Sequence, residues 1–217
     1  GIHDVSPSLH TITANGDAQV DVIQSKFGDS SLSFGGAGDL SIPSSSDFSF
    51  GAGDFTVDFW VRFSSFYNYI TMLSTTRGVG GWNMGSDSLQ KFVFYVQGLG
   101  RILESAANAF AAINTWYHCA VVRNGTALTG YVDGSQVASA TNSTNFTETV
   151  LSIGSLDHGG EYFTGRLDEV RISKGIARWT SNFTPPSDPY SEPRVLDRER
   201  VRQIYPINRV PPHAIVW

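Results

Sequence analysis

The segment TWYHCAVVRNGTALTGYVDGSQVASA, residues 115–140, contains three strand-like runs separated by two turn signals. Asn124-Gly125 and Asp133-Gly134 are dipeptides that accept the positive φ angles of two-residue hairpin loops. The runs that flank them are short and contain alternating or β-branched apolar residues, which favour strands. This segment therefore predicts three consecutive antiparallel strands.

The rest of the chain continues this pattern of short strands and turns. In FTVDFWVRF, residues 55–63, an apolar side chain occurs at every second position, the period of a strand with one buried face. Helix signals are restricted to SAANAFAAINTW and SKGIARWTS, and neither is long enough to cover a sheet. Because strand must then pack on strand, the roughly eleven predicted strands indicate an all-β sandwich of two antiparallel sheets.

The composition narrows the class of protein and of partner. The 217 residues, 41% hydrophobic and 16% charged, suffice for one large domain or two small ones. The net charge of −5 argues against a nucleic-acid partner, and no apolar run approaches the ~18–20 residues of a membrane span. Cys119 is the only cysteine, so no internal disulfide forms. Since the chain begins with Gly1 rather than Met, we expect a processed product or a fragment.

Residues 191–217 differ from the rest of the chain. They contain four prolines, and five arginines against three acidic residues, and they follow no strand or helix period apart from a short helix-like run, VLDRERVRQIY. Their apolar residues, among them Ile204, Tyr205 and Trp217, favour an extended arm that docks on a neighbouring chain or on its own body. We therefore predict a β-sandwich over residues 1–190, an arm over 191–217, and an oligomer or a larger assembly.

Three long segments carry a resemblance to a known family. They are KFGDSSLSFGGAGDLSIPSSSDFSFGAGDFTVDFWVRF, NTWYHCAVVRNGTALTGYVDGSQVAS and LSIGSLDHGGEYFTGRLDEVRISKGIARWTSNFTPP. Their order resembles the laminin G-like, concanavalin A-like lectin/glucanase superfamily, over roughly residues 20–185. The part ISKGIARWTSNFTPP is similar to versions found in structural proteins of tailed bacteriophages. The resemblance implies a jelly-roll sandwich of two curved antiparallel sheets that binds glycans or proteins, often with a structural calcium.

The acidic residues do not match the catalytic pattern of the hydrolases in this superfamily. Those enzymes carry E-x-D-x-E or E-x-D-x-x-E in one strand, so that alternating acids share a cleft. In LDEVRI, Asp168 and Glu169 are adjacent, and strand alternation predicts that they lie on opposite faces. Glu161 lies at the wrong spacing for such a pair. We therefore expect no enzymatic activity.

Asp168 is a candidate calcium ligand. Alternation assigns it to the core face with Val170 and Ile172, where a lone carboxylate needs a partner or a metal. The resemblance implies that an acid in this strand binds a structural calcium together with oxygens from a loop near the N-terminal strand. The predicted ligands are Asp168, Asp29 or Asp4, and the carbonyl of Gly28. The alternative is that Asp168 caps loop amides without a metal.

Three loops contain residue types that suit sugar binding. Aromatic rings stack on sugar faces, while amides and carboxylates bind hydroxyl groups. The candidates are Tyr67 and Tyr69 in FYNY, Trp82 and Asn83 in GGWNMGSD, and Asp157, His158 and Tyr162 in LDHGGEY. If these loops lie at one end of the sandwich, they form a lectin-like patch.

These observations predict a non-catalytic structural or adhesion domain of a phage virion, as a head decoration or a tail-associated domain. Its arm would bind other virion subunits or sister chains, and glycans of the host or the environment are candidate ligands. The alternative is a secreted or cell-surface carbohydrate-binding module. A glycoside hydrolase is the third reading of the sequence.

Overall fold

The computed structural model describes residues 2–66 and 69–190, together with the backbone of residues 214–216. Within these ranges the regular structure is strand, apart from one 3-10 turn at Ser46–Phe48. Every strand pairing is antiparallel, and the strands form two sheets, as the sequence predicted. No helix in the described ranges is long and apolar enough to cross a membrane.

Sheet A has seven strands. Their spatial order is β1 (Thr13–Asn15), β4 (Asp39–Ile42), β13 (Leu151–Ile153), β6 (Ile70–Thr75), β7 (Trp82–Ser86), β8 (Phe92–Val96) and β9 (Gly100–Glu104). Sheet B has the order β12 (Ser135–Thr141), β11 (Ala127–Val132), β10 (Trp116–Asn124), β5 (Phe55–Phe63), β14 (Thr164–Lys174), β3 (Ser31–Gly35) and β2 (Gln19–Asp21). The predicted three-strand segment forms β10, β11 and β12, with consecutive antiparallel pairing.

The core lies between the two sheets and follows the period of two. In β5, Phe55, Phe59 and Phe63 have no exposed surface, and they pack with apolar residues of sheet A. Phe55 stacks on Phe50 and meets Phe146 edge-on, so aromatic pairs fill much of the space between the sheets. Cys119, the single cysteine, lies in β10 and has no exposed surface.

The outer face of sheet B is covered by the segment that follows β14. We call residues 175–190 the strap. Trp179 and Phe183 of the strap stack on each other at 3.9 Å between ring centroids and pack against Tyr131. Phe183 also donates its N–H to the carbonyl of Gly134, where an added Cβ would lie 1.9 Å from the Phe183 oxygen. Sheet B is therefore closed to ligands where the strap covers it.

A β-bulge in β14 overturns the predicted placement of its two acids. Asp168 pairs with Trp60 and Arg171 with Asp58, so β14 carries one extra residue there. Glu169 takes a φ of 51° at this bulge. Trp60 and Asp58 lie on the outer face of β5, so Asp168 lies there too and not on the core face. The bulge also turns Glu169 outward, which corrects the inference that the two acids face opposite sides.

The last described segment is a short strand, β15 (Ala214–Val216), which pairs antiparallel with Arg171, Ile172 and Ser173 of β14. It lies along a part of β14 that β3 leaves unpaired, since β3 pairs only with residues 164–167. Residues 191–213, which make up most of the predicted arm, lie outside the described residues. The division into a domain over 1–190 and an arm over 191–217 stays a prediction.

Candidate functional site

A cleft of about 380 Å³ lies over the outer face of sheet A, across β6, β7, β8 and β9. Its floor is a row of side chains that strand register brings together. Asn83 of β7 pairs with Tyr95 of β8, and Tyr95 pairs with Arg101 of β9. Paired residues share a face, so these three side chains line one surface although eighteen positions separate the first from the last in sequence. The remaining lining residues are Tyr69, Thr75, Thr76, Arg77, Gly81, Trp82, Gln97, Leu156 and Glu161.

Polar atoms without partners are concentrated in this cleft. The Asn83 side chain belongs to a residue only 5% exposed, and its Oδ1 has no hydrogen-bond partner among the described residues. The buried hydroxyl of Tyr69 also lacks a hydrogen bond of acceptable geometry there. A buried polar atom without a partner costs about 1–3 kcal/mol, so its presence needs an explanation. A polar ligand in the cleft would supply the missing partners.

Arg101 connects the floor of the cleft to a small charge network. Its guanidinium lies 4.8 Å from the centroid of the Tyr69 ring, within cation–π distance. The same group donates to Asp87 at 2.8 Å and to Glu104 at 2.5 Å. Burial raises the pKa of Tyr69, although the nearby Arg101 charge opposes this, so the phenol stays protonated at neutral pH. The floor thus presents a tyrosine held in place beside a paired arginine.

The loop before β14 forms one wall of the cleft through Leu156 and Glu161. Glu161 is anchored twice to β6, because its carboxylate accepts the Thr71 hydroxyl and its carbonyl accepts the Thr71 N–H, both at 2.8 Å. The loop is closed by the hydrogen bond from the Leu156 N–H to the Gly160 carbonyl. This wall is therefore fixed to the same strand that borders the floor.

The structure brings together some of the predicted sugar-binding residues and separates others. Tyr69 and Asn83 line the cleft, as does the edge of Trp82. Trp82 is only 2% exposed and stacks on Phe94 and Phe50, so it is a core residue and does not fit the predicted role of an exposed stacking ring. Tyr67 lies outside the described residues.

The other three predicted sugar-binding residues lie near the cleft but do not line it. His158 contacts Asp39 through Nδ1 at 2.7 Å, on the far side of the loop towards β4. Asp157 donates its N–H to the hydroxyl of Ser74 on β6, and this contact fixes the loop. Tyr162 is partly buried between Glu161 and the core residue Phe163. For these three, a part in sugar binding stays a prediction.

Most residues of the cleft were not identified from the sequence, among them Tyr95, Gln97, Arg101 and Arg77. In KFVFYVQ the alternation marks Tyr95 and Gln97 as outward-facing, because Phe94 and Val96 face the core. Alternation does not indicate whether the outer face of sheet A or that of sheet B is accessible to a ligand. Arg101 and Arg77 follow no pattern in the sequence that would distinguish them from ordinary surface residues.

The proposed calcium ligands do not form a ligand set in the described residues. Asp168 accepts main-chain N–H groups from Lys26, Phe27 and Glu169 at 2.7 to 3.2 Å. Burial raises the pKa of Asp168, and these three hydrogen bonds oppose the effect. The arrangement corresponds to the alternative in which Asp168 caps loop amides.

The remaining members of the predicted calcium set have their own roles. Asp4 accepts the N–H and hydroxyl of Ser6 and the N–H of His10, and Asp29 is exposed. The carbonyl of Gly28 accepts the hydroxyl of Ser25. No group of three acidic, histidine or cysteine side chains suited to a metal occurs in the described part of the chain. Calcium binding stays a prediction without an assembled site.

The bulge places Asp168 and Glu169 beside a recess of about 270 Å³, which His3 and Leu167 also border. The oxygens of Asp168 are occupied by main-chain amides, and Glu169 accepts the N–H of Tyr190 at 2.6 Å. The two acids thus hold the N-terminal loop and the strap against β14. Each acid therefore binds main-chain N–H groups of a different segment, and the two carboxylates do not act together on a common substrate atom.

A cluster of titratable groups is buried between β5 and the strap. Asp58 has no exposed surface and accepts two hydrogen bonds from Arg171, at 3.0 and 2.8 Å, and one from the Tyr190 hydroxyl. His118 lies 3.4 Å from the same carboxylate and is also fully buried. Because Asp58 and His118 have no exposed surface, we regard the cluster as structural.

Comparisons with known proteins agree with this architecture. Residues 34–178, more than half of the chain, match the family model Laminin_G_3, described as the concanavalin A-like lectin/glucanases superfamily. No curated protein matches the sequence. Among solved structures, the chain resembles domain 4 of AbnA, a GH43 extracellular arabinanase from Geobacillus stearothermophilus, in complex with arabinotriose. The identity is 17%, the TM-score is 0.58, and the match covers 76% of this chain and 81% of that one.

Two further structures show the same fold. The binding domain of botulinum neurotoxin DC in complex with SialylT has 14% identity and a TM-score of 0.59, over 76% of this chain and 43% of that one. Domains LG4-5 of the mouse laminin alpha1 chain have 18% identity and a TM-score of 0.53, over 81% of this chain and 48% of that one. The chain thus spans less than half of the neurotoxin and laminin chains. At these identities the likeness shows the fold alone.

Proposed function

Since the chain belongs to the concanavalin A-like lectin/glucanases superfamily, we propose that it is a non-catalytic glycan-binding domain and that the cleft on sheet A is its site. The observation that carries this proposal is Asn83, a side chain that is 95% buried, lines the cleft and has an unpaired Oδ1. Sugar hydroxyl groups both donate and accept hydrogen bonds, so they suit such an atom.

The other lining residues support a saccharide ligand. Tyr69 and Tyr95 offer partly exposed rings for stacking, while Gln97 offers an amide that binds hydroxyl groups. The AbnA domain, which shares the fold, was solved in complex with the saccharide arabinotriose. The neurotoxin domain, which also shares the fold, was solved in complex with SialylT. Both likenesses favour glycan binding as the use of this fold here.

The absence of a carboxylate pair in the cleft supports a non-catalytic role. Among the described residues that line it, Glu161 is the only acid, and its carboxylate is hydrogen-bonded to Thr71. Retaining glycosidases use two carboxyl groups roughly 5–5.5 Å apart, and inverting enzymes also need two. The lining therefore contains groups that can bind a sugar, but only one of the two carboxyl groups that a glycosidase uses.

Alanine at Asn83 tests the site. On an array of neutral and acidic oligosaccharides that includes arabinotriose, followed by calorimetric titration of the best ligand, we expect Asn83→Ala to weaken binding by about 5- to 100-fold, since one buried hydrogen bond is lost. Tyr95→Ala should weaken it similarly through lost stacking. Asn182→Ala changes an exposed asparagine of the strap, on the other sheet and outside the lining, and serves as the matched control. Absence of binding to every glycan, or equal binding by Asn83→Ala, would contradict the proposal.

For the biological setting, we propose a structural or adhesion component of a phage virion, held to sister chains or other subunits through residues 191–217. The similarity of ISKGIARWTSNFTPP to phage versions and the apolar, arginine-containing composition of residues 191–217 support this proposal. A secreted or cell-surface carbohydrate-binding module is the alternative. Both settings would use the same cleft.

Presence of the protein in purified virions distinguishes these settings, and deletion of residues 191–217 tests the role of the arm. We expect the deletion to abolish incorporation into particles, because the segment supplies the proposed docking surface, while the sandwich stays folded. Particle content is measured by immunoblotting of purified virions, and circular dichroism of the shortened protein controls for folding. Undiminished incorporation of a folded deletion variant would show that the arm does not anchor the domain.

A further inference from the structure

We propose that the cleft on sheet A selects uncharged saccharides over their acidic counterparts. This inference rests on the proposed glycan-binding function and names the ligand class of the same site. It follows from the way in which the charges of the cleft are already paired, and from the kind of atom that is left without a partner.

Arg101, the cation in the floor, is neutralised by neighbouring carboxylates. Its guanidinium forms ion pairs with Asp87 at 2.8 Å and Glu104 at 2.5 Å, and Glu104 also pairs with Lys91. Two positive and two negative charges therefore cancel in this network. An acidic sugar that approached Arg101 would have to displace a carboxylate that is fixed on the same sheet.

The other charged lining residues also balance. Arg77 is exposed at the rim of the cleft and forms no ion pair among the described residues, whereas Glu161 contributes one negative charge to the wall. With Arg101 paired, the lining thus has one free positive and one negative charge. Removal of a carboxylate or sulfate group from water is unfavourable unless an opposite charge compensates it. The cleft offers no net positive field to do so.

The two unpaired polar atoms of the cleft, Asn83 Oδ1 and the Tyr69 hydroxyl, are complementary to hydrogen-bond donors and to neutral acceptors. Asn83 Oδ1 is an acceptor, so it requires a donor such as a hydroxyl or an amide N–H. Carboxylate and sulfate groups only accept, and one placed opposite this oxygen would be repelled. The buried Tyr69 hydroxyl both donates and accepts, which matches a sugar hydroxyl. The floor is thus complementary to the hydroxyl groups of an uncharged sugar.

Matched glycans test this inference. An array should carry neutral oligosaccharides beside sialylated, uronic or sulfated counterparts on the same backbones, such as lactose beside 3′-sialyllactose. We expect the neutral member of the bound pair to bind at least about five-fold more tightly. Its affinity should change less than about two-fold between 0.05 and 0.5 M NaCl, because no long-range attraction contributes. Tighter binding of an acidic member that is lost in Arg77→Ala, or equal binding of both members, would overturn the inference.

The origin of the selectivity can be tested with Glu104→Gln, which removes one partner of Arg101 from outside the lining. We expect the ratio of acidic to neutral affinity to rise about three- to ten-fold in this variant, since part of the arginine charge becomes available. An unchanged ratio would refute the neutralisation of Arg101 as the cause. Binding to neither class, or binding that is insensitive to Asn83→Ala, would instead disprove the proposed site, so the two failures are distinguishable.

Discussion

Replacement of Asp58 by alanine is expected to lower the free energy of unfolding by roughly 3–5 kcal/mol. Asp58 is fully buried and accepts hydrogen bonds from Arg171 and the Tyr190 hydroxyl, with His118 at 3.4 Å. Burial alone would raise the pKa of Asp58, but His118 and Arg171 outweigh it and hold the pKa below its ordinary value. Its removal leaves the mostly buried Arg171 charge without compensation, and the strap loses an attachment to β5.

Urea unfolding of the wild type and the variants measures this effect. Asp29→Ala removes an exposed acid and should change the free energy of unfolding by less than about 0.5 kcal/mol. The double variant Asp58→Asn/Arg171→Met should recover part of the loss, because it removes both charges of the pair. A decrease below about 1 kcal/mol for Asp58→Ala would mean that the pair contributes little to holding the strap.

Stability should also fall with rising pH because of Glu169. Burial, the larger cause, and the neighbouring Asp168 raise the pKa of Glu169 to about 7 from the usual 4.5. The native state therefore binds this proton more tightly than the unfolded state does. The stabilisation by the protonated form is complete below about pH 4.5 and disappears as pH rises through about 7, a change of up to roughly 3 kcal/mol. The main-chain N–H of Tyr190, which donates to Glu169, and the Arg171 charge oppose the effect.

Glu169→Gln isolates this contribution, since glutamine keeps the shape and accepts the Tyr190 N–H without titrating. We expect the difference in unfolding free energy between wild type and variant, measured in urea from pH 4 to 8, to change steadily across the interval. Glu104→Gln serves as a control. Lys91 and Arg101 hold the pKa of Glu104 below its usual value, so the stabilisation by Glu104 is lost as pH falls, whereas that by Glu169 is lost as pH rises. Parallel profiles for the wild type and Glu169→Gln would show that Glu169 does not titrate in this range.

The sequence of β14 shows where local pattern and tertiary structure diverge. LDEVRI contains no glycine or other local signal of a bulge, so alternation places its acids on opposite faces. The bulge arises because Leu167, Val170 and Ile172 all enter the core while β14 stays paired with β5. One extra residue is then needed to keep the apolar side chains inside. Packing of the apolar side chains therefore turns the two acids outward. The six residues LDEVRI alone cannot predict this, because the packing partners lie elsewhere in the chain.

The sequence by itself determined the fold class. The period of two in β5 specifies a buried face, and the Asn-Gly and Asp-Gly dipeptides specify hairpins, since both depend on interactions between residues close in the chain. The site depended on contacts between distant residues. Register aligns Asn83, Tyr95 and Arg101 across three strands. Among the described residues, the strap covers part of the outer face of sheet B, whereas the outer face of sheet A carries the cleft. In the described part of the chain, tertiary packing alone decided which outward-facing residues line a cleft, because the strap covers the outer face of sheet B and not that of sheet A.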